Sequence, residues 1–172
     1  AAINGVAVGI GATMTLAMDV RIASEQARIG FVFGKIGIVP EACSSWFLPR
    51  VVGLPKALEW SYSAEILTPQ EALEGRLVGQ VVAPGALLDE AYRIARKFTS
   101  GRSPVAVALT RQMMYRNAAA DHPLQAHQVE SLAVFQVSQA DGQEGVAAFL
   151  EKRSPRFQGK ASKMPDFYPS WP

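Results

Sequence analysis

Along the chain, apolar positions follow two rhythms. In the first third they form short runs broken by glycine, and afterwards they recur at helical spacing. Residues 1–4 read as the end of a buried strand. Gly5, Gly9 and Gly11 then predict tight backbone over 5–11. Residues 12–18 have helical composition, 20–23 alternate polar and apolar as a half-buried strand does, and 27–31 read as another short strand. Gly34, Gly37 and Pro40 mark 33–40 as a loop.

From residue 42 onward the spacing predicts helices over 42–52 and 55–64, with Gly53 as the stop between them. Thr68-Pro69-Gln70-Glu71 is a capping box with proline at the first helical position, so a helix starts there. A short strand is predicted over 80–83. Over 87–99, Leu88, Ala91, Ile94, Ala95 and Phe98 form one apolar stripe. Ser103-Pro104 opens a helix to about 119, and 123–139 make another. Asp141-Gly142-Gln143-Glu144 reads as a second capping box, before a helix to about 153. Residues 154–172, with four prolines and the aromatics Phe167, Tyr168 and Trp171, predict an irregular tail. The architecture expected is a β/α layer followed by a helical region packed on it.

Composition narrows the function classes. The chain has 172 residues, 49% hydrophobic and 19% charged, which suits a globular fold and excludes a disordered one. A lone Cys43, expected as a small buried side chain, excludes a disulfide framework and a multi-cysteine metal site. Two histidines, His122 and His127, leave little for a zinc or Ser-His-Asp centre, so no metal is expected. A net charge of +2 with no block of like charges argues against nucleic acid as the partner. Residues 1–18 carry no charge, but Asn4, Thr13, Thr15 and the glycines dilute them, and no basic segment accompanies them. They predict a buried strand, turn and helix rather than a membrane span or a secretory leader.

The turn at Gly9-Ile10-Gly11 is the first candidate for chemistry. A dinucleotide fingerprint requires a third glycine where Met14 stands, and no P-loop lysine follows. On the residues alone two readings stand: a close-packed turn, or a strand-to-helix turn whose N–H groups face an oxyanion.

Ala2-Ile3-Asn4-Gly5-Val6-Ala7-Val8-Gly9-Ile10-Gly11, followed by Leu16-Ala17-Met18-Asp19, resembles the signature of the crotonase superfamily, the enoyl-CoA hydratase/isomerase family. Ile36-Gly37-Ile38-Val39-Pro40-Glu41 resembles its second motif. Leu67-Thr68-Pro69-Gln70-Glu71-Ala72 with Gly75-Arg76-Leu77-Val78 resembles the helix after the catalytic loop, and 144–153 resemble the C-terminal helix. The resemblance extends to about Lys160.

The resemblance implies an α/β fold, a ββα spiral core of which only the C-terminal portion is present, with a helical C-terminal trimerisation region. On that reading residues 1–85 hold the spiral core with the oxyanion turn and catalytic loop, 86–160 the helical region and 161–172 the tail. It implies an acyl-CoA thioester substrate, as in fatty-acid β-oxidation, with coenzyme A as part of the substrate and no separate cofactor. It implies a homotrimer or hexamer in the bacterial cytoplasm or an organelle matrix. Its oxyanion hole takes one backbone N–H from Ile10, with Gly9 and Gly11 beside it. The second donor belongs to a loop in an N-terminal segment of the same fold, which no stretch here resembles.

The family's hydratases use two glutamates, and by resemblance those positions are Thr13 and Phe33. Water addition needs a base for the water and an acid for C2, which neither residue supplies. Pro40-Glu41-Ala42-Cys43-Ser44-Ser45 instead resembles the Pro-Glu-Gly-Cys-Ser-Ser segment of Δ3,Δ2-enoyl-CoA isomerases, where this glutamate is the single base. Glu41 equally suits a helix-start acid, favoured by the helix dipole. Thr13 is expected to hold a water or cap the turn, and Phe33 to line the acyl pocket. By resemblance Phe149 and Lys152 lie on the helix that meets the CoA adenine and phosphates. An ordinary amphipathic helix, Phe149 in and Lys152 out, explains them almost as well. The leading expectation is therefore an enoyl-CoA isomerase. The alternatives are an enzyme named as a hydratase, a hydrolase or dehalogenase with Glu41 as nucleophile, and a non-catalytic acyl-CoA-binding member.

Overall fold

The computed structural model describes residues 1–166. The predicted features at Phe167, Tyr168 and Trp171 lie outside the described residues. Two compact units divide the chain between Ile94 and Ala95.

The first unit is built on two small sheets. β1 (Ala2–Ile3), β3 (Ile22–Ser24) and β6 (Val81–Val82) form one sheet, entirely parallel. β2 (Val6–Val8), β4 (Arg28–Gly30) and β5 (Ile66–Leu67) form the other. There Ala7 pairs with Ile29 in parallel, and Ile29 pairs with Leu67 in antiparallel. Four helices accompany them: α1 (Ile10–Thr13), α2 (Ser44–Val52), α3 (Leu54–Ser63) and α4 (Pro69–Glu74). Single 3₁₀ turns follow α1 at Met14–Ala17 and β4 at Phe33–Ile36.

Parallel strands need covered faces, and the sequence supplies small or branched apolar side chains for that purpose. Ile3, Ala7, Leu16, Ala23, Ile29, Phe31, Leu48, Trp60 and Leu77 join one buried cluster. Phe31 and Trp60 stack with ring centroids 6.4 Å apart. Gly75 fits beneath that indole, since a Cβ there would meet Trp60 at 2.3 Å. The capping box before α4 forms as expected: the Thr68 hydroxyl accepts from Glu71 N–H, and the Glu71 carboxylate accepts from Thr68 N–H.

Helix α5 (Leu87–Thr99) carries the chain onward to α6 (Pro104–Asn117), α7 (Pro123–Ser138) and α8 (Asp141–Leu150). The Ser103 hydroxyl caps α6 by accepting from Ala106 N–H at 3.1 Å. His122 caps α7, its Nδ1 accepting from Leu124 N–H at 3.1 Å. A 3₁₀ turn at Ala161–Lys163 interrupts the tail expected to be irregular.

Several expectations are corrected. Residues 5–11 hold strand β2, because Val6-Ala7-Val8 pairs with β4 despite the flanking glycines. The early helix starts at Ile10 rather than 12 and tightens to 3₁₀ after one turn. The helix expected from residue 42 begins at Ser44, because Ala42 and Cys43 adopt left-handed backbone with φ of 50 and 56. That same turn places Cys43 at the surface instead of in the core. The second capping box does not form. Asp141 lies inside α8, whose cap is Ala140, and its carboxylate is used elsewhere.

Candidate active site

The site is assembled from the turn after β2 and the loop before α2. Gly9 ends β2 with φ 55 and ψ −124, a conformation glycine reaches without steric cost. Its own N–H donates to Gly30 O at 3.1 Å, which holds the turn against β4. Its carbonyl accepts from Ala12 N–H at 2.9 Å and Thr13 N–H at 3.0 Å. The first two amides of α1, on Ile10 and Gly11, lie ahead of that ladder, and no acceptor among the described residues takes Ile10 N–H. The Ile10 side chain is 60% exposed, so the turn opens outward.

One turn further along, Thr13 is buried at 1% exposure. Its hydroxyl donates to Glu41 Oε1 at 2.6 Å. This bond joins residues 28 apart in sequence and places the carboxylate one helical turn from the Ile10 amide. Glu41 is half-buried and lies outside any helix. The reading of Glu41 as a first-turn acid is thereby corrected, since α2 starts three residues later. The left-handed pair Ala42 and Cys43 turns the chain between them, and Ser44 N–H donates back to Glu41 O at 2.9 Å.

Phe33 is buried at 4% exposure and lines a cavity of about 310 Å³ in the first unit. Phe31, Ile38, Val39 and Pro40 line it before the Glu41 loop, Ser44, Leu48 and Pro49 after it, and Leu54, Leu58 and Tyr62 from α3. The wall is overwhelmingly apolar and the volume falls at the small end of ligand pockets.

Phe149 and Lys152 belong to the second unit. Phe149 is 81% exposed, against the expectation of an amphipathic helix with this ring inward. Lys152 does not lie on α8. It follows the helix end at Leu150 in left-handed backbone, φ 54, with its side chain exposed. Nearby, Arg153 pairs with Glu144 at 2.6 Å and with Glu151 at 2.5 Å. The bond from Arg153, with that from Arg156 N–H, holds the Glu144 carboxyl down to about 2.

Sequence reasoning identified Ile10, Thr13 and Glu41 separately but missed that Thr13 holds Glu41. It also missed Ser44, a buried residue beside the cavity. No cluster of metal-ligating side chains occurs among the described residues. No helix among them is long and apolar enough to cross a membrane.

A glycine turn after strand β2, a carboxylate one helical turn away and an adjoining apolar cavity make up the candidate site. The family model for enoyl-CoA hydratase/isomerase matches residues 1–160, and the chain belongs to that family. Enoyl-CoA hydratase AFT3-1 of Alternaria alternata is 45% identical over 161 residues, covering 92% of this chain and 53% of the relative. The 1,2-epoxyphenylacetyl-CoA isomerase of Escherichia coli K12 is 36% identical over 162 residues, covering 92% and 60%. The crystal structure of enoyl-CoA hydratase from Bacillus anthracis superposes with a TM-score of 0.86 at 36% identity, covering 92% of this chain and 61% of that one. The chain thus spans a little over half the length of these relatives.

Proposed function

We propose that the chain contributes the base and one oxyanion donor of an enoyl-CoA isomerase. The observation that carries this reading is the 2.6 Å bond from the Thr13 hydroxyl to Glu41 Oε1. It fixes one carboxylate oxygen and leaves Oε2 for a proton. Glu41 takes a proton from C2 of a 3-enoyl thioester, the C–H electron pair forms a C1=C2 bond, and the carbonyl pair moves onto the thioester carbonyl oxygen, giving a dienolate conjugated with the C3=C4 bond. The Ile10 N–H stabilises that dienolate oxygen. Glu41 then returns the proton to C4, giving the 2-enoyl thioester with the carboxylate regenerated. One carboxylate suffices because the group that removes the proton also delivers it. Two acid-base groups are not needed, which suits a site where Thr13 and Phe33 occupy the hydratase glutamate positions.

The relative named 1,2-epoxyphenylacetyl-CoA isomerase supports isomerisation of a CoA thioester in general, and the relatives named as hydratases favour a second reading, water addition across the 2-enoyl bond. The distinguishing experiment is Glu41→Gln in the full chain, assayed for double-bond migration and for hydration. Loss of migration by about a thousandfold, with thioester binding retained, is the expected result. Retained migration sinks the reading, and hydration lost at Glu41 without migration in the parent supports the second.

The same reading extends to assembly as a homotrimer or hexamer, and to a site in the bacterial cytoplasm or an organelle matrix. Support for assembly comes from α7, where Leu124, Leu132, Val134 and Phe135 are each more than half exposed. Light scattering on the parent and on Phe135→Glu tests it. A monomeric parent would overturn it.

A further inference from the structure

The cavity of about 310 Å³ in the first unit owes its hollow to what α3 places against it. Leu54, Ala57, Leu58, Ser61 and Tyr62 line it, and their spacing of three and four residues puts them on one face of that helix. The face has two rows. Leu54, Leu58 and Tyr62 are large and exposed, and they form the rim. Ala57 is buried and Ser61 half-buried, and both are small. Phe31, Phe33 and Leu48, all buried, make up the rest of the floor. Among the described residues no charged side chain lines the cavity. The Ser61 hydroxyl donates to Ala57 O at 2.7 Å, and Ser44 Oγ has less than 1 Å² of accessible surface. The floor therefore offers no donor to an anion. Pro40 and Ser44, on either side of Glu41 in sequence, are also on the wall, so the cavity adjoins the proposed base.

We propose that Ala57 determines which acyl chain the site accepts: a medium-length hydrocarbon tail without an anionic end. The methyl group of Ala57 leaves the middle of the α3 face open, and the tail passes between the rim residues to lie on the apolar floor. Each methylene that enters exchanges water for apolar contact. A larger side chain at 57 fills the hollow and shortens the chain that fits. A terminal carboxylate loses its water there and gains no partner, so it is turned away. The inference rests on reading the protein as an acyl-CoA enzyme.

The test is calorimetric titration of the full chain with butanoyl-CoA, octanoyl-CoA, hexadecanoyl-CoA and the octanoyl thioester bearing a terminal carboxylate. Affinity is expected to rise about fourfold for each methylene added from butanoyl to octanoyl. That rise stops before hexadecanoyl, once the cavity is full. The carboxylate-ended probe binds about tenfold more weakly than octanoyl-CoA. Ala57→Val and Ala57→Leu lower the octanoyl-to-butanoyl affinity ratio in that order, Ala57→Leu to near unity. The milder Ala57→Val carries the comparison should the leucine variant not fold. Leu58→Asp, at an exposed rim position, lowers the same ratio without altering the floor. Equal affinity for all chain lengths overturns the inference while the enzyme reading stands. So does a ratio unchanged in the Ala57 variants. Failure of every thioester to bind overturns both.

Discussion

The two units of the chain bury themselves by different means. The first holds the whole buried cluster, from Ile3 to Val78, with aromatic stacking at its centre. In the second, the buried apolar residues among those described are Leu109, Ala133 and Ala148. Its long-range ties are polar instead. Asp141 accepts from the Ser103 hydroxyl at 2.6 Å, Gln158 N–H at 3.2 Å and Gly159 N–H at 3.1 Å. Glu144 accepts from both Arg153 and Arg156 N–H. A dense apolar core tolerates a polar substitution at its rim, because the shape of the core decides the fold. A unit tied by a few carboxylates does not, because each one satisfies several donors at once. The candidate site therefore sits in the unit with the larger apolar core, and the exposed apolar helix α7 in the unit with the smaller one.

That contrast can be broken at four places. The largest effect is expected at Glu41, where replacement by glutamine costs about a thousandfold in turnover with little change in melting temperature. A large fall in melting temperature would mean that Glu41 belongs to the scaffold. Next comes Asp141→Ala, which is expected to cost about 2 kcal/mol of stability in denaturant titrations by stranding three donors. An unchanged midpoint would show that the polar ties of the second unit are ornamental. Thr13→Val keeps the shape of the buried side chain and deletes its hydroxyl. Turnover is expected to fall about tenfold, with KM for a CoA thioester held constant. A rise in KM alone would assign Thr13 to binding rather than to positioning Glu41.

The smallest effect concerns acid. Arg153 and the Arg156 amide hold the folded Glu144 carboxyl at about 2, below its ordinary 4.5. A depressed carboxyl contributes stability that is complete above 4.5 and fades as pH falls through that value towards about 2. Hydrogen exchange at the Arg156 amide is expected to quicken, beyond its intrinsic pH dependence, across that window. Glu144→Gln removes the acid-dependent part, and exchange that follows intrinsic rates throughout would refute the tie.

What could be read from the sequence depended on distance along the chain. The Thr68 capping box is complete within four residues, and it forms as read. The box at Asp141 has the same local pattern, yet its carboxylate serves Ser103 and 158–159, partners no local rule brings near. Strand β2 was hidden because glycines on either side of Val6-Ala7-Val8 imitate a turn, and only pairing with β4 makes them a strand. Glu41 and the Ile10 turn were each singled out by resemblance, as expectations. Their connection through Thr13 was not, since the fold alone closes that gap of 28 residues.

Ala42 stands in the left-handed region with φ 50, where a side chain costs what a glycine would not. Protein engineering would naturally put glycine there, for a gain of about 1 kcal/mol in the folded state. The isomerase segment that residues 40–45 resemble carries glycine at this very position, so the change is compatible with a working carboxylate next to it. Ala42 thus marks a place where a thermostability screen is expected to find a gain without a loss of turnover.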